Sequence, residues 1–327
     1  MIELRSSGLN KYEVLITLIN EIIEGDSLSV LKKIDDKSID AIISDIPYGI
    51  SYEEWDILHN NTNSALLGSS SAQKKAGQVF KHRGKPLNGW SEADKKIAKE
   101  YQNWCETWAS EWLRVLKPGA SAFIFAGRRM APRCICALED AGFTFKDMIA
   151  WIKDKAPHRA QRISIVYNRR NDHENEKKWE GWRVGNLRPI FEPILWFVKP
   201  YTLGGTLADN VRDYNVGAFN NESWKKYTPD CSNVVKVIPQ KYDHGYHTAQ
   251  KPIELLKSLI ELTTMEQQTI LDPFCGSGST LVAAAELNRN YIGIDSNREY
   301  VEIAKRRLQD TKNSVNKEEV SNEQSLF

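Results

Sequence analysis

EIIEGDSLSVLKKIDDKSIDAIISDIPYG, residues 21–49, holds the pattern on which the fold reading rests. Glu21-Ile22-Ile23-Glu24 reads as a strand running into a Gly25-Asp26 turn, and Ser27 to Ile34 reads as a helix carrying Leu28, Leu31 and Ile34. The isoleucine-rich run Ile39-Asp40-Ala41-Ile42-Ile43 then reads as a second, buried strand. Parallel strands need a crossover of this kind, so an open α/β sheet is the expected architecture. The second strand delivers Ser44-Asp45-Ile46-Pro47-Tyr48-Gly49 into a loop. Asp, Pro and Gly favour ordinary turns. An acid beside an aromatic ring equally suits a site where a carboxylate orients an amino group and the ring stacks on a flat substrate. Asp26, at the end of the first strand, is either a turn former or a ligand contact.

The chain of 327 residues is 41% hydrophobic, enough for one large α/β domain or two smaller ones, and its 10 Trp, 12 Tyr and 10 Phe exclude disorder of the whole chain. A formal charge of +1, from 44 basic and 43 acidic side chains, is not that of a uniformly basic nucleic-acid coat. The charge is clustered, however. Lys74, Lys75, Lys81, Arg83 and Lys85 stand without an acid in 57–90, and 128–170 holds ten Lys or Arg against Glu139, Asp140, Asp147 and Asp154. Such clusters focus a positive field on one face, or form a merely solvated basic surface. The five cysteines, at 105, 134, 136, 231 and 275, have no framework spacing, which points to reduced thiols and a cytoplasmic setting. Met1 to Asn10 lacks a secretory apolar core, and no apolar run reaches membrane-spanning length.

Between Ile57 and Asp94 the periodicity fades into Ser, Asn, Gly and Lys, as expected of a mobile, substrate-facing loop. Tyr101, Trp104, Cys105, Trp108, Trp112, Val115 and Leu116 recur at helical spacing and read as a core stripe, stopped by Lys117-Pro118-Gly119. A strand at Ala120–Gly127, a helix at 130–141 and a strand at Phe143–Ile152 follow. The stretch 155–245 interleaves Arg159, Arg162, Arg169, Arg170, Lys177 and Lys178 with Tyr167, Trp179 and Trp182 before the apolar run 194–198. That composition suits a target-recognition region built around a core strand, or a structural insertion.

A second strand–helix–strand unit closes the chain. Thr269-Ile270-Leu271-Asp272 leads through Pro273-Phe274-Cys275-Gly276-Ser277-Gly278-Ser279-Thr280 into a small-residue helix and then Tyr291-Ile292-Gly293-Ile294-Asp295. Glycines between a strand and a helix let a ligand approach the backbone, and an acid at the end of the next strand suits ribose hydroxyls. Neither the full dinucleotide pattern nor the P-loop ending is present, so a nucleoside-bearing cofactor fits without a pyrophosphate. Asp272 is either a turn residue or a contact to a positively charged cofactor group. His244 and His247 lack metal-ligand partners at useful spacing, and Cys134 with Cys136 is no zinc signature, so no metal is expected.

Taken together, these segments resemble the amino-group DNA methyltransferases of the β arrangement. Asp45-Ile46-Pro47-Tyr48 resembles that family's catalytic Asp-Pro-Pro-Tyr, and Asp272 to Gly278 resembles its Asp-Pro-Phe-x-Gly-x-Gly cofactor loop. Arg114 to Gly119 resembles Arg-Val-Leu-Lys-Pro-Gly, and His247-Thr248-Ala249-Gln250-Lys251-Pro252 resembles His-Pro-Thr-Gln-Lys-Pro with its first proline and threonine changed. The resemblance implies a Rossmann-like class I methyltransferase fold with permuted motif order, its seven-stranded, mostly parallel sheet having the last strand antiparallel. The resemblance spans about 21–310, with 57–94 and 155–245 less family-like, and the expected segments are 1–154 as the first catalytic part, 155–245 as a target-recognition or insert region, 246–310 as the cofactor-binding part and 311–327, polar in composition, as a disordered tail.

The implied activity is site-specific transfer of methyl from S-adenosylmethionine to adenine N6 in double-stranded DNA with the target base flipped out. The alternatives are cytosine-N4 transfer and a catalytically silent DNA-binding protein. Asp rather than Ser at position 45 favours adenine in this family. Asp45, Ile46, Pro47 and Tyr48 are the implied catalytic set, with Asp45 and the Ile46 carbonyl aiming the amine and Tyr48 stacking on the base. Ile46 keeps proline's carbonyl and loses its fixed φ. The implied cofactor contacts are Asp26 near the adenine, Asp45, Lys251 closing the pocket, Asp272, Phe274, Gly276, Gly278 and Ser279 in the loop, and Asp295 on the ribose. A homodimer and a paired restriction endonuclease are the macromolecular partners left open.

Overall fold

The computed structural model describes residues 18–51, 54–62, 74, 82, 90–156, 160–240, 243, 245–246 and 250–324, with side chains to Thr311. Most of the expected loop at 57–94, and His247, Thr248 and Ala249, lie outside the described residues. In chain order the elements begin β1 (Glu21–Glu24), α1 (Ser27–Leu31), β2 (Ile39–Asp45), α2 (Glu92–Val115), β3 (Leu116–Phe125), α3 (Ala131–Asp140) and β4 (Thr144–Ile152). A peripheral group follows: β5 (Gln161–Arg162), α4 (Ile163–Asn168), α5 (His173–Lys178) and β6 (Arg183–Val184). The chain then returns to the sheet with β7 (Phe191–Val198), α6 (Leu207–Tyr214), α7 (Asn221–Lys225), β8 (Val234–Lys236), α8 (Ile253–Thr263), β9 (Thr269–Asp272), α9 (Ser279–Glu286), β10 (Asn290–Asp295) and α10 (Arg298–Gln324).

Eight strands form the main sheet in the order β1-β10-β9-β2-β3-β7-β4-β8. From β1 to β3 all neighbours are parallel, β7 runs antiparallel to both β3 and β4, and β8 is parallel to β4. The antiparallel strand is thus β7, which three more strands follow in this permuted chain, and the short β8 adds an eighth strand at the edge. Both β7 and β8 come from the 155–245 stretch, so that stretch contributes to the main sheet while β5 and β6 pair only with each other.

Helices cover both faces. Leu31 of α1, Tyr101, Trp108 and Trp112 of α2 and Leu138 of α3 pack on one side with Ile42. Leu256 and Leu259 of α8, Leu281 of α9 and Val301 of α10 pack on the other with Ala41 and Ile43. This alternation along β2 is the period-two signature of a strand buried on both faces. Asp40 is the exception inside that run, buried yet satisfied by Lys117 Nζ at 2.6 Å and the Thr269 amide at 2.8 Å. Those bonds tie β2 to both its neighbours.

Two local expectations change. Lys117-Pro118-Gly119 does not separate helix from strand, because β3 starts at Leu116, directly after α2. Gly119 instead sits inside the strand at φ +83°, where a Cβ would lie 2.4 Å from Asn210 Nδ2. The polar segment from Ser314 continues as helix in α10 as far as Gln324.

Candidate active site

Parallel strands β2 and β9 lie side by side, so their C-terminal ends open into the same place. Ligands of open α/β sheets sit in such a crevice. Here it is a cavity of about 530 Å³ that brings together Asp45, Tyr48, Lys251, Asp272, Gly276 and Asp295. Ile46, Pro47, Phe274 and Ser279 line it as well. Ser44 Oγ donates to Asp272 Oδ1 at 2.7 Å, joining the two motif loops directly. Burial pushes the Asp272 carboxyl up to about 7, against hydrogen bonds from Ser44, Thr280 and the Phe274 amide that favour its charged form.

Asp45 stands at the end of β2. Its Oδ2 accepts from Lys251 Nζ at 2.5 Å, while its buried Oδ1 has no hydrogen-bond partner among the described residues. Burial raises the Asp45 pKa above the ordinary carboxylate value, opposed by Lys251 and reinforced by Glu192. Lys251 is itself held charged by Asp45 and Glu192, which outweigh its burial.

Glu192, on β7, completes a group that the sequence reading missed. Its Oε1 accepts from Tyr48 Oη at 2.6 Å and lies 3.4 Å from Lys251 Nζ, and its Oε2 pairs with Lys153. Although burial works against the charge, Lys251 and Lys153 bring the Glu192 carboxyl down to about 2. Burial, then the Asp45 and Glu192 charges, push the Tyr48 phenol well above its usual range, so it stays a neutral donor. The only sequence sign of Glu192 was one acid in the apolar run Phe191 to Val198.

The loop bearing Tyr48 is held from two sides. Asp56, 1% exposed, accepts from the Gly49 amide at 2.6 Å and the Ile50 amide at 3.0 Å. Tyr101 Oη of α2 donates to the Pro47 carbonyl at 3.2 Å, and Gly49, at φ +63°, leaves no room for a Cβ against the Tyr101 ring. Ile46 is 2% exposed, and its side chain packs into the core with α2. Core packing thereby fixes a backbone that proline would otherwise restrain.

In the glycine loop, Gly276 has φ +50°, and a Cβ there would meet nothing within 4 Å, leaving that face open to the cavity. Gly278 does not line the cavity. It adopts φ +80° at the start of α9, where a Cβ would strike Ala304 at 2.7 Å. Asp295 accepts from the Gly276 amide and the Asn297 amide, each at 2.8 Å, so it shapes the loop as well as facing the cavity. Phe274 packs on Trp104, Trp108 and Trp112, and Trp104 of that stripe reaches the cavity wall. Arg307, 9% exposed on α10, donates to the Ser277 carbonyl at 2.6 Å and to Ser279 Oγ at 3.1 Å, with its guanidinium 4.9 Å from the Tyr246 ring.

Asp26 is placed elsewhere. Its carboxylate caps α1, accepting from the Ser29 amide at 2.9 Å and Ser29 Oγ at 2.7 Å, and it does not line the cavity. Among the described residues no group of His, Cys, Asp and Glu is arranged to hold a metal ion, and no helix is long and apolar enough to cross a membrane.

The model of a DNA methylase family acting at N6 and N4 matches residues 39–306. Type II methyltransferase M.HindIII of Haemophilus influenzae (strain ATCC 51907 / DSM 11121 / KW20 / Rd) is 59% identical over 302 residues, which span 91% of this chain and 97% of that protein. Type II methyltransferase M.HinfI of Haemophilus influenzae is 24% identical over 308 residues, spanning 91% of this chain and 70% of its own length. Among solved structures, PvuII DNA methyltransferase (cytosine-N4-specific) superposes with a TM-score of 0.57 at 15% identity, over 89% of this chain and 90% of that one. TTHA0409 of Thermus thermophilus, solved with S-adenosyl-L-methionine, gives 0.55 at 18% identity, over 89% and 94%. At these identities the two structures share the fold.

Proposed function

The chain belongs to the DNA methylase family of N6 and N4 amino-group methyltransferases, and from that membership we propose that it methylates adenine N6 at a specific site in double-stranded DNA, with S-adenosylmethionine as donor. The observation that carries this reading is Asp45. A carboxylate that is 25% exposed, lines the same cavity as Tyr48 and has one oxygen, Oδ1, without a hydrogen-bond partner among the described residues is an acceptor suited to an incoming N–H.

The cavity fits the donor molecule. Gly276 leaves open space over its backbone, Asp295 offers a carboxylate for ribose hydroxyls, and Asp272 offers one for a positively charged group. When bound, S-adenosylmethionine supplies a methyl group on a cationic sulfur. An exocyclic amine is a poor nucleophile because its lone pair is delocalised into the ring. Asp45 Oδ1 accepting one N–H and the Ile46 carbonyl accepting the other favour a pyramidal nitrogen whose lone pair points at the methyl. The carboxylate also stabilises the positive charge that develops on nitrogen, the counterpart in opposite polarity of an oxyanion-hole donor, whose removal costs about 2.7–4 kcal/mol. Tyr48 stacks on the base once it has left the duplex, which contributes about 1–3 kcal/mol. Asp45 rather than Ser favours adenine. Likeness to a type II methyltransferase supports a role beside a restriction endonuclease in protecting host DNA.

Incubating the chain with methyl-labelled S-adenosylmethionine and mixed-sequence duplex DNA, followed by nucleoside analysis, tests the reading. N6-methyladenine is the expected product. N4-methylcytosine would overturn the adenine assignment, and binding of both ligands without transfer would identify a silent DNA-binding protein.

A further inference from the structure

We propose that Glu192 is a positioning residue for methyl transfer: it draws Lys251 away from Asp45, so that the Asp45 charge serves the target amine, while holding the hydroxyl of the stacking Tyr48. The inference rests on the function proposed above. Its starting point is an ion pair in the wrong place. Lys251 Nζ sits 2.5 Å from Asp45 Oδ2, and the lysine is 7% exposed. An ammonium so close cancels the carboxylate that should favour positive charge on nitrogen, and it repels that charge directly. Lys251 cannot simply retreat, because a buried cation without a partner carries a large desolvation cost.

Glu192 removes the difficulty. Its Oε1 is already 3.4 Å from the same ammonium and its side chain is 11% exposed. It is also firmly ionised, with its carboxyl held at about 2 by Lys251 and Lys153. Lysine can therefore pass from one carboxylate to the other without becoming unpartnered, over the faces of Tyr48 and Phe125, whose ring centroids are 5.4 and 5.3 Å from Nζ. The second contact sets the timing. Glu192 Oε1 also accepts from Tyr48 Oη at 2.6 Å, so a base that settles on the Tyr48 ring meets a side chain tethered to the carboxylate that receives the lysine. Lys153 on Oε2, immediately after the neighbouring strand β4, keeps the carboxylate in place.

The test is a double-variant cycle in the full-length chain, with Glu192→Gln, Lys251→Met and their combination assayed for labelled methyl transfer under saturating donor. Glu192→Gln is expected to lower kcat about 10- to 100-fold, with the KM for DNA and the Kd for S-adenosylmethionine within about 2-fold of wild type. In the Lys251→Met background, with no cation to relocate, the same change is expected to cost less than about 2-fold. An equal loss in both backgrounds would mean that Glu192 only supports Tyr48 and Lys153, and would overturn the proposal. A crystal structure of the wild-type chain with S-adenosylhomocysteine and the duplex it labels reads the same point without a variant. Lys251 Nζ is expected beside Glu192, and finding it still on Asp45 overturns the proposal. Absence of transfer by the wild-type chain would instead overturn the proposed function, and this inference with it.

Discussion

Replacing Asp272 with Asn separates what this carboxylate costs the fold from what it does for the cofactor. Asp272 is 3% exposed, and its Oδ1 accepts from Ser44 Oγ at 2.7 Å and the Phe274 amide at 3.2 Å. An Asn whose amide oxygen occupies that position keeps these two bonds and removes the charge, and the Thr280 hydroxyl, which also bonds the carboxylate, can turn to accept from the Asn amide. The folded carboxyl titrates at about 7, against an ordinary value of 3.8, because of its burial. Between those values the folded chain binds a proton that the unfolded chain has lost, so this group's contribution to stability falls as pH rises through that window. The shift is roughly 3 pH units at about 1.36 kcal/mol each, or about 4 kcal/mol once pH exceeds 7. Asp272→Asn in the ligand-free chain should therefore be more stable than wild type at pH 8, by up to about 4 kcal/mol, and the two should converge towards pH 4. Urea unfolding at pH 8, 6 and 4 measures the difference. A variant less stable than wild type at pH 8, or a gap that does not close on acidification, would refute the reasoning. The same substitution should weaken binding of S-adenosylmethionine, and wild-type affinity should rise between pH 6 and 8 while the variant's does not.

Asp45→Asn keeps the side-chain shape and removes the acceptor charge, so kcat should drop about 100- to 1,000-fold while calorimetry finds donor binding nearly unchanged. A parallel loss of donor affinity would contradict that division of roles. Gly49→Ala places a Cβ 2.4 Å from Tyr101 Cδ2 at φ +63°, and thermal unfolding should show a loss of about 1–3 kcal/mol. Wild-type stability would show that Tyr101 does not brace this loop. Arg307→Met removes the donors to Ser277 and Ser279, and donor affinity should fall about 10-fold, or about 1.4 kcal/mol, with kcat recovered at saturation.

The sequence disclosed what is encoded locally. Strand–helix–strand units around 21–45 and 269–295 announce themselves through periodicity and glycine placement, and they carry Asp45, Asp272, Gly276 and Asp295 to one cavity. Contacts between distant segments left no such mark. Glu192 meets Tyr48 across 144 residues and Lys251 meets Asp45 across 206, and neither pairing has a periodic signature. Lys251 accordingly read as closing the cofactor pocket, and the fold, while placing it on the cavity wall, also pairs it with Asp45. Asp26 illustrates an ambiguity of the opposite kind. A capping Asp before Ser-Leu-Ser and a ligand-binding Asp at a strand end are written identically, and the capping role becomes visible only in the hydrogen bonds from Ser29.

The bond from Ser44 to Asp272 spans 228 residues and lies between adjacent strands near the middle of the sheet. On the ribosome this separation becomes a delay. At about 5–20 residues per second, roughly 10–50 s pass between synthesis of Asp45 and of the strand that closes beside it. During that interval the β9-facing edge of β2 has no native partner, and β1 has none until β10 emerges. An unpaired hydrophobic edge invites association with other nascent chains. The permuted order thus makes the crevice between β2 and β9 one of the last places to be completed, so the proposed modification of DNA awaits synthesis of nearly the whole polypeptide.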